Sequence, residues 1–187
     1  MKINLGCGTD TLPGYINVDL YSPTADLKHD LNSFPYPFQD ESADYVLMTD
    51  VLEHIDDPRK TVKEVRRILK QGGKFHLILP HFTYHGAYNP CHKSFWSYQC
   101  ICYPNTGSDS QLIEFWEGFI PIKKKLVFTE TPPKNPFHRT LYFLLSWHRY
   151  ILSYFFNKNP LLYERLFIKH LIPCYKIEAI LVKNHAK

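Results

Sequence analysis

Apolar residues along this chain come in short runs separated by glycine, proline and acidic turns, a pattern that predicts buried strands alternating with helices. Ile3 and Leu5 open the first run, which stops at Gly6-Cys7-Gly8; it restarts at Tyr15-Ile16-Asn17-Val18 and ends on Asp19. Asp44-Tyr45-Val46-Leu47-Met48 is a third such run, and Val51-Leu52-Glu53-His54 after it predicts a short helical turn. Asp57-Pro58 reads as an N-cap followed by proline at the first helical position. Val62, Val65, Ile68 and Leu69 then repeat at helical spacing, and Gly72-Gly73 is expected to stop that helix. A strand follows over 74–79, ended by Pro80. Residues 119–129 and 175–182 predict two late strands, with helical segments over 137–156 and from Asn159-Pro160 to 171 between them.

This order gives an α/β chain with a mostly parallel sheet, and 187 residues suit a single domain. Residues 1–80 form a cofactor-binding half and 81–118 a substrate and cap loop; 119–187 supply the late strands, with an aromatic helical insertion over 137–171. The net charge of +4 permits an anionic partner without demanding one. Five cysteines, an odd number, and the lack of a basic-apolar leader disfavour a secreted disulfide framework, so a cytoplasmic location is expected.

The glycine turn and Asp19 carry the first candidate chemistry. Glycines at a strand end let backbone N–H groups approach a ligand, and a carboxylate at the end of the neighbouring strand can accept both hydroxyls of a ribose. The dinucleotide fingerprint needs a third glycine opening a helix, and Gly6-Cys7-Gly8-Thr9-Asp10-Thr11 has none. Asp10 would repel a phosphate, so a nucleoside ligand without phosphate fits better. The spacing from Gly8 to Asp19 is about half of the roughly twenty residues of a full strand-helix-strand unit. With Pro13 and Gly14 inside it, the first crossover is expected to be a tight loop.

In these motifs the chain resembles the class I S-adenosylmethionine-dependent methyltransferases, in particular the small predicted methyltransferases of the type 11-like group. The resemblance rests on Leu5-Gly6-Cys7-Gly8, Gly14-Tyr15-Ile16-Asn17-Val18-Asp19, Asp30-Leu31-Asn32, Phe38 to Val46, Val51-Leu52-Glu53-His54 and Leu69-Lys70-Gln71-Gly72-Gly73. It implies a Rossmann-like sandwich with a seven-stranded type of sheet, a late antiparallel strand and a reduced first crossover helix. It also implies S-adenosylmethionine as cofactor, leaving as S-adenosylhomocysteine. Leu5, Gly6, Cys7 and Gly8 would hold the methionine end, Asp19 with Leu20 the ribose, and Asp30 with Leu31 the adenine; Met48, Thr49, Asp50 and His54 would line the pocket. Asp30 can equally be read as a turn aspartate.

The loop after the 74–79 strand lies on the substrate side and carries His81, Tyr84, His85, Tyr88 and His92. Methyl transfer to a hydroxyl or protonated amine needs a positioned nucleophile and a proton acceptor, and histidine suits that task near neutral pH. His81 ranks first by its closeness to the strand end, then His92, then His85, with loop histidines bonded only for structure as the alternative. A metal reading could draw on His81, His85, Cys91, His92, Cys100 and Cys102, but no paired C-x-x-C is present, and no metal is expected. Asn-Pro-Pro-aromatic does not follow the 44–48 strand, which disfavours nucleic acid substrates. The basic residues Arg59, Lys60, Lys63, Arg66, Arg67 and Lys70 read as a solvated helix face.

Between 141 and 156 apolar residues wrap most of the predicted helix, with Lys123-Lys124-Lys125, Arg139, Arg149 and Lys158 nearby in sequence. Such a segment suits peripheral membrane contact, a buried helix or a homodimer face. Two functions stand. One is an S-adenosylmethionine-dependent methyltransferase acting on an oxygen or nitrogen of a small-molecule or lipid-linked acceptor. The other is a non-catalytic S-adenosylmethionine-binding protein that docks a membrane or partner.

Overall fold

The computed structural model describes residues 1–101, 110–128, 148–149, 151–165, 169 and 173–184. Six strands form one sheet: β1 (Lys2–Leu5), β2 (Ile16–Val18), β3 (Ala43–Thr49), β4 (Leu69–Pro80), β5 (Phe119–Val127) and β6 (Lys176–Lys183), in the spatial order β2-β1-β3-β4-β6-β5. β1, β2, β3 and β4 run parallel, and β6 is antiparallel to both of its neighbours. Six strands stand among the described residues where the resemblance implies a seven-stranded type. The segment from Asp19 to Ser42, with its three prolines, contributes only a bridge between Leu27 and Val18.

The parallel pair β1 and β2 is joined without a helix, as the short spacing predicts, and two asparagines brace the loop. Asn4 and Asn17 are directly opposite in register and both buried. Asn4 Nδ2 donates to Asn17 Oδ1 at 3.2 Å and to Asp10 O at 3.1 Å. Asn17 Oδ1 also accepts from Leu12 N at 2.8 Å, while its Nδ2 donates to Leu12 O at 3.2 Å, Tyr15 O at 3.3 Å and Asp26 Oδ2 at 2.8 Å. These side chains satisfy loop backbone groups that a crossover helix would have satisfied by itself.

The 3₁₀ turn Leu52–His54 and helix α1 (Pro58–Ile68) follow β3. Asp57 caps α1 by accepting from Lys60 N at 3.1 Å, with Pro58 at the first position, as the sequence predicts. Thr61, Val62, Val65 and Ile68 bury one stripe of the helix, each apolar side chain contributing about 1.5–3 kcal/mol. The opposite face is charge-paired: Arg59 with Glu114, Arg66 with Glu117, and Arg67 with Glu64 and Asp40; just beyond the helix, Lys70 of β4 pairs with Asp44.

The helix stops earlier than Gly72-Gly73. Leu69 is already extended and fully buried, and it pairs with Ala43 of β3. Between that pair and Tyr45↔Lys74 the β4 side has extra residues, and Gly72 takes up the bulge at φ 72°. The glycines therefore mark a strand bulge rather than a helix end. Phe75, Leu77 and Leu79 then point into the core opposite Ile177, Ala179 and Leu181 of β6.

At the far edge, Lys123 and Lys125 of β5 pair with Glu178 of β6 at 3.2 and 2.7 Å, and Lys124 donates to Ile101 O at 2.7 Å. Pro121 on this edge strand needs no ladder donor. Two shorter helices complete the described fold, α2 (Ser110–Phe115) and α3 (Pro160–Arg165), together with helical residues 148–149 and 151–158. Phe156 packs on Phe128 and Tyr163, whereas Ile151, Tyr154, Phe155 and Leu162 are exposed. The predicted helical stretch 137–147, Arg139, Cys102 and residues 170–171 lie outside the described residues. Among the described residues no helix is long and apolar enough to cross a membrane.

Candidate active site at the carboxyl ends of the strands

A cleft of about 490 Å³ opens beyond the carboxyl ends of β1, β2 and β3, within the size range of small-molecule sites. It is lined by Gly6 and Gly8 after β1, by Asp19, Leu20 and Tyr21 after β2, and by Asp50, Val51, His54 and Ile55 after β3; the 29–32 segment closes it. Of the residues the sequence proposes for the cofactor, Gly6, Gly8, Asp19, Leu20, Asp30, Leu31, Asp50 and His54 meet here. Leu5, Cys7 and Met48 are buried beneath the cleft, Thr49 is exposed, and none of the four lines it.

The glycine turn works differently from the expectation of free backbone donors. Gly6 N and Cys7 N both donate to Val18 O, at 2.8 and 3.0 Å, and Gly8 N donates to Asp19 Oδ2 at 2.9 Å. These N–H groups brace β2 because no helix does, so Gly8, with nothing within 4 Å of where a Cβ would stand, offers a ligand open space rather than a donor. Gly6 sits at φ 69°, and a Cβ there would lie 2.4 Å from Val51 Cγ2.

Asp19 accepts two more backbone bonds at Oδ1, from Tyr21 N and Ser22 N, both at 2.8 Å. Burial works to raise its pKa, but the N–H groups of Ser22, Gly8 and Tyr21, with the charge of Lys28, outweigh it and hold the carboxyl below its ordinary range. Cys7, packed close by, has its thiol pushed up by burial and by the Asp19 charge. Asp30 faces the cleft and also closes a turn, its Oδ1 accepting from Asn32 N at 2.9 Å. Asn32 ties this wall to the next by accepting from Asp56 N at 2.9 Å. Asp50 holds a left-handed backbone at φ 53° and forms an ion pair with Lys176. With Asp50 offset by Lys176, Asp19 and Asp30 leave the opening acidic, which disfavours a phosphate and suits a cationic ligand such as a sulfonium.

The three loop histidines separate. His81 is fully buried; Thr83 N donates to its Nδ1 at 3.2 Å, and its Nε2 faces Glu164 Oε1 at 2.9 Å. His85 is exposed and meets the Tyr84 ring edge-on. His92 packs its ring 4.6 Å from that of His54, which lines the cleft. The loop is tied down by Lys93 N, which donates to Glu53 O at 2.7 Å. Glu53 is 1 % exposed, and its Oε2 meets no hydrogen-bond partner among the described residues. Burial pushes its carboxyl up to about 7; its own backbone N–H and Lys176 act against the rise, and the Asp50 charge adds to it. Sequence reasoning passed over Tyr21, His29, Asn32, Val51 and Ile55 as lining residues. Only Asn32 and Val51 carried a signal, as members of the Asp30-Leu31-Asn32 and Val51-Leu52-Glu53-His54 motifs.

A family model described as a methyltransferase domain matches residues 17–77, about a third of the chain. The chain is 44% identical over 47 residues to the uncharacterized methyltransferase YcgJ of Bacillus subtilis, covering 25% of this chain and 18% of that protein. It is 47% identical over 38 residues to an uncharacterized protein of Methanocaldococcus jannaschii, covering 20% and 18%. These matches thus span under a fifth of each relative's length. In fold it is similar to a chain of the complex between the Haloferax volcanii Trm112 methyltransferase activator and its methyltransferase partner, with a TM-score of 0.54 at 19% identity, covering 98% of this chain and 82% of that one. A SAM-dependent methyltransferase of Archaeoglobus fulgidus gives a TM-score of 0.54 at 16% identity, covering 97% and 85%. The two comparisons agree: residues 17–77 match a methyltransferase domain, and the fold of the chain is similar to that of S-adenosylmethionine-dependent methyltransferases.

Proposed function

We propose that this protein transfers the methyl group of S-adenosylmethionine to an oxygen or nitrogen of a small-molecule or lipid-linked acceptor. The observation that carries the reading is the convergence of Gly6, Gly8, Asp19, Asp30 and Asp50 on one phosphate-repelling cleft, with His54 and His92 at its rim. Asp19 Oδ1 already accepts two backbone bonds and Oδ2 one, so the remaining acceptor capacity is on Oδ2 and serves one ribose hydroxyl in this arrangement. Asp30 is the acceptor for the adenine amino group.

The acceptor molecule enters at the His54–His92 rim. His92 is the loop histidine that adjoins the cleft, and it takes precedence over His81, whose two ring nitrogens are both engaged inside the protein. The exposed Ile151, Tyr154, Phe155 and Leu162 favour a lipid-linked acceptor, and equally the second reading, in which the protein binds the cofactor and docks a membrane or another chain.

Calorimetric titration with S-adenosylmethionine and S-adenosylhomocysteine tests the cofactor site, and transfer of labelled methyl to small-molecule and lipid extracts tests the reaction. His92→Ala should lower turnover by about 10²-fold or more while leaving cofactor affinity within a factor of a few. Cofactor binding with no labelled product from either extract would leave the docking reading in possession.

A further inference from the structure

Among the described residues, Glu53, His54 and His92 are the one set of three that bring metal-ligating atoms together: a carboxylate oxygen and one nitrogen of each imidazole lie within 4.8 Å of one another. None of the histidine and cysteine positions that sequence spacing offers to a metal belongs to this set except His92.

Each imidazole of the set has its Nδ1 against a backbone carbonyl. His54 Nδ1 lies 3.1 Å from Cys91 O, and His92 Nδ1 lies 2.8 Å from Ala87 O. A carbonyl oxygen can only accept, so each Nδ1 carries a proton, and in the neutral ring it is Nε2 that keeps the lone pair. Donation of the second ring nitrogen to a backbone carbonyl is the usual way a metal-binding histidine has its tautomer fixed. Glu53 supplies the independent observation. Its carboxylate is 1 % exposed, belongs to this cluster, and has an Oε2 that is buried with no partner among the described residues. An orphaned buried carboxylate oxygen is costly, and a cation is one of the few groups that offsets the cost.

We propose that Glu53, His54 and His92 form a binding site for a divalent transition-metal ion at the rim of the cofactor cleft. Two imidazoles and one carboxylate suit zinc, cobalt or iron(II) better than magnesium, which prefers oxygen donors. Ligand atoms around a tetrahedral ion with bonds of about 2.0–2.1 Å stand roughly 3.4 Å apart, so the three groups close on it by shifts on the order of an ångström. Three protein ligands leave coordination positions open, and His54 sets the site against the cleft. With the ion bound, the lone pair of His92 is spent on it, and an acceptor hydroxyl on the ion would ionise more readily in place of proton transfer to His92. Use of the ion in methyl transfer rests on the function proposed above; the binding site does not.

The test is titration of metal-free protein with Co²⁺, followed by visible d–d absorption, with Zn²⁺ competition for affinity. One Co²⁺ per chain should bind and be displaced by Zn²⁺. His92→Ala should weaken binding by more than the roughly 10- to 100-fold that loss of an outer-shell partner costs, and Glu53→Gln and His54→Ala should do likewise. His85→Ala should leave it unchanged. His92 is on a half-buried loop, so His92→Ala decides the matter even where the Glu53 variant folds poorly. No stoichiometric Co²⁺ binding, or binding that His92→Ala leaves intact, overturns the site. Calorimetry with S-adenosylmethionine on the same samples separates this failure from failure of the cofactor reading.

Discussion

His81 Nε2 and Glu164 Oε1 stand 2.9 Å apart inside the protein, joining the end of β4 to α3 across 83 residues of sequence. Thr83 N–H donates to His81 Nδ1, so the proton of the ring is on Nε2 and points at the carboxylate. Glu164 Oε1 also accepts from the backbone N–H of Tyr98, which brings the substrate loop into the same joint. This histidine has the position the sequence favours for a base and the environment of a structural pin.

His81→Ala should therefore act on stability first. Removing the ring leaves Glu164 as a buried carboxylate with one partner fewer, at a cost on the order of 3 kcal/mol. Urea denaturation should show a lower midpoint with little change in slope, and the folded fraction should bind S-adenosylmethionine with ordinary affinity. A variant with wild-type stability and no turnover would restore His81 to the chemistry.

Gly6 and Val51 make the floor of the cleft. A Cβ on Gly6 would meet Val51 Cγ2 at 2.4 Å and Cγ1 at 2.8 Å, and the backbone there is left-handed. Gly6→Ala should abolish measurable binding of S-adenosylmethionine in a calorimetric titration. Adding Val51→Ala removes both close contacts but not the backbone strain of about 1–2 kcal/mol, so the double variant should recover only part of the affinity. Full recovery would mean that the contact alone matters, and wild-type binding by Gly6→Ala alone would remove Gly6 from the site.

What was legible in the sequence was what local pattern determines. Apolar runs ending at Gly6, Asp19 and Met48 located three strand ends to within a residue, and with them the side on which the cleft opens, because strand ends and turns are written in adjacent residues. Asp57-Pro58 located the start of α1 for the same reason. The end of α1 was not legible. Gly72-Gly73 has the chemistry of a helix stop, but the sheet claims Leu69 beside Ala43, and tertiary packing overrides the local signal. Asn4 and Asn17 were missed as the braces of the stub crossover, since an asparagine inside a short strand does not disclose which loop groups it will meet. The pairing of His81 with Glu164, and the approach of His92 to His54 through the Lys93–Glu53 backbone bond, join segments far apart in sequence. Chain order alone does not report such contacts.

The carboxylate of Asp19 accepts from Gly8, Tyr21 and Ser22, and its pKa in the folded state lies below the ordinary value of about 3.9. A group whose folded pKa is depressed contributes stability that is present above its unfolded value and lost as pH falls through the folded one. Acid should therefore weaken the protein from about pH 4 downward, and Asp19 should supply part of that slope. Asp26, Asp57, Glu64 and Glu178 are depressed as well, so the informative quantity is the difference between wild type and Asp19→Asn over a series of acid denaturant titrations. The variant keeps one oxygen for Tyr21 and Ser22 but turns an amide –NH₂ toward Gly8 N–H, donor against donor. It should show a shallower acid slope, and S-adenosylmethionine should bind more than about tenfold more weakly at neutral pH, where the lost carboxylate costs about 1.4 kcal/mol or more. Parallel acid slopes for the two proteins would show that the three backbone bonds do not favour the ionised form, and Asp19 would then be a ribose acceptor without being the anchor of the glycine turn.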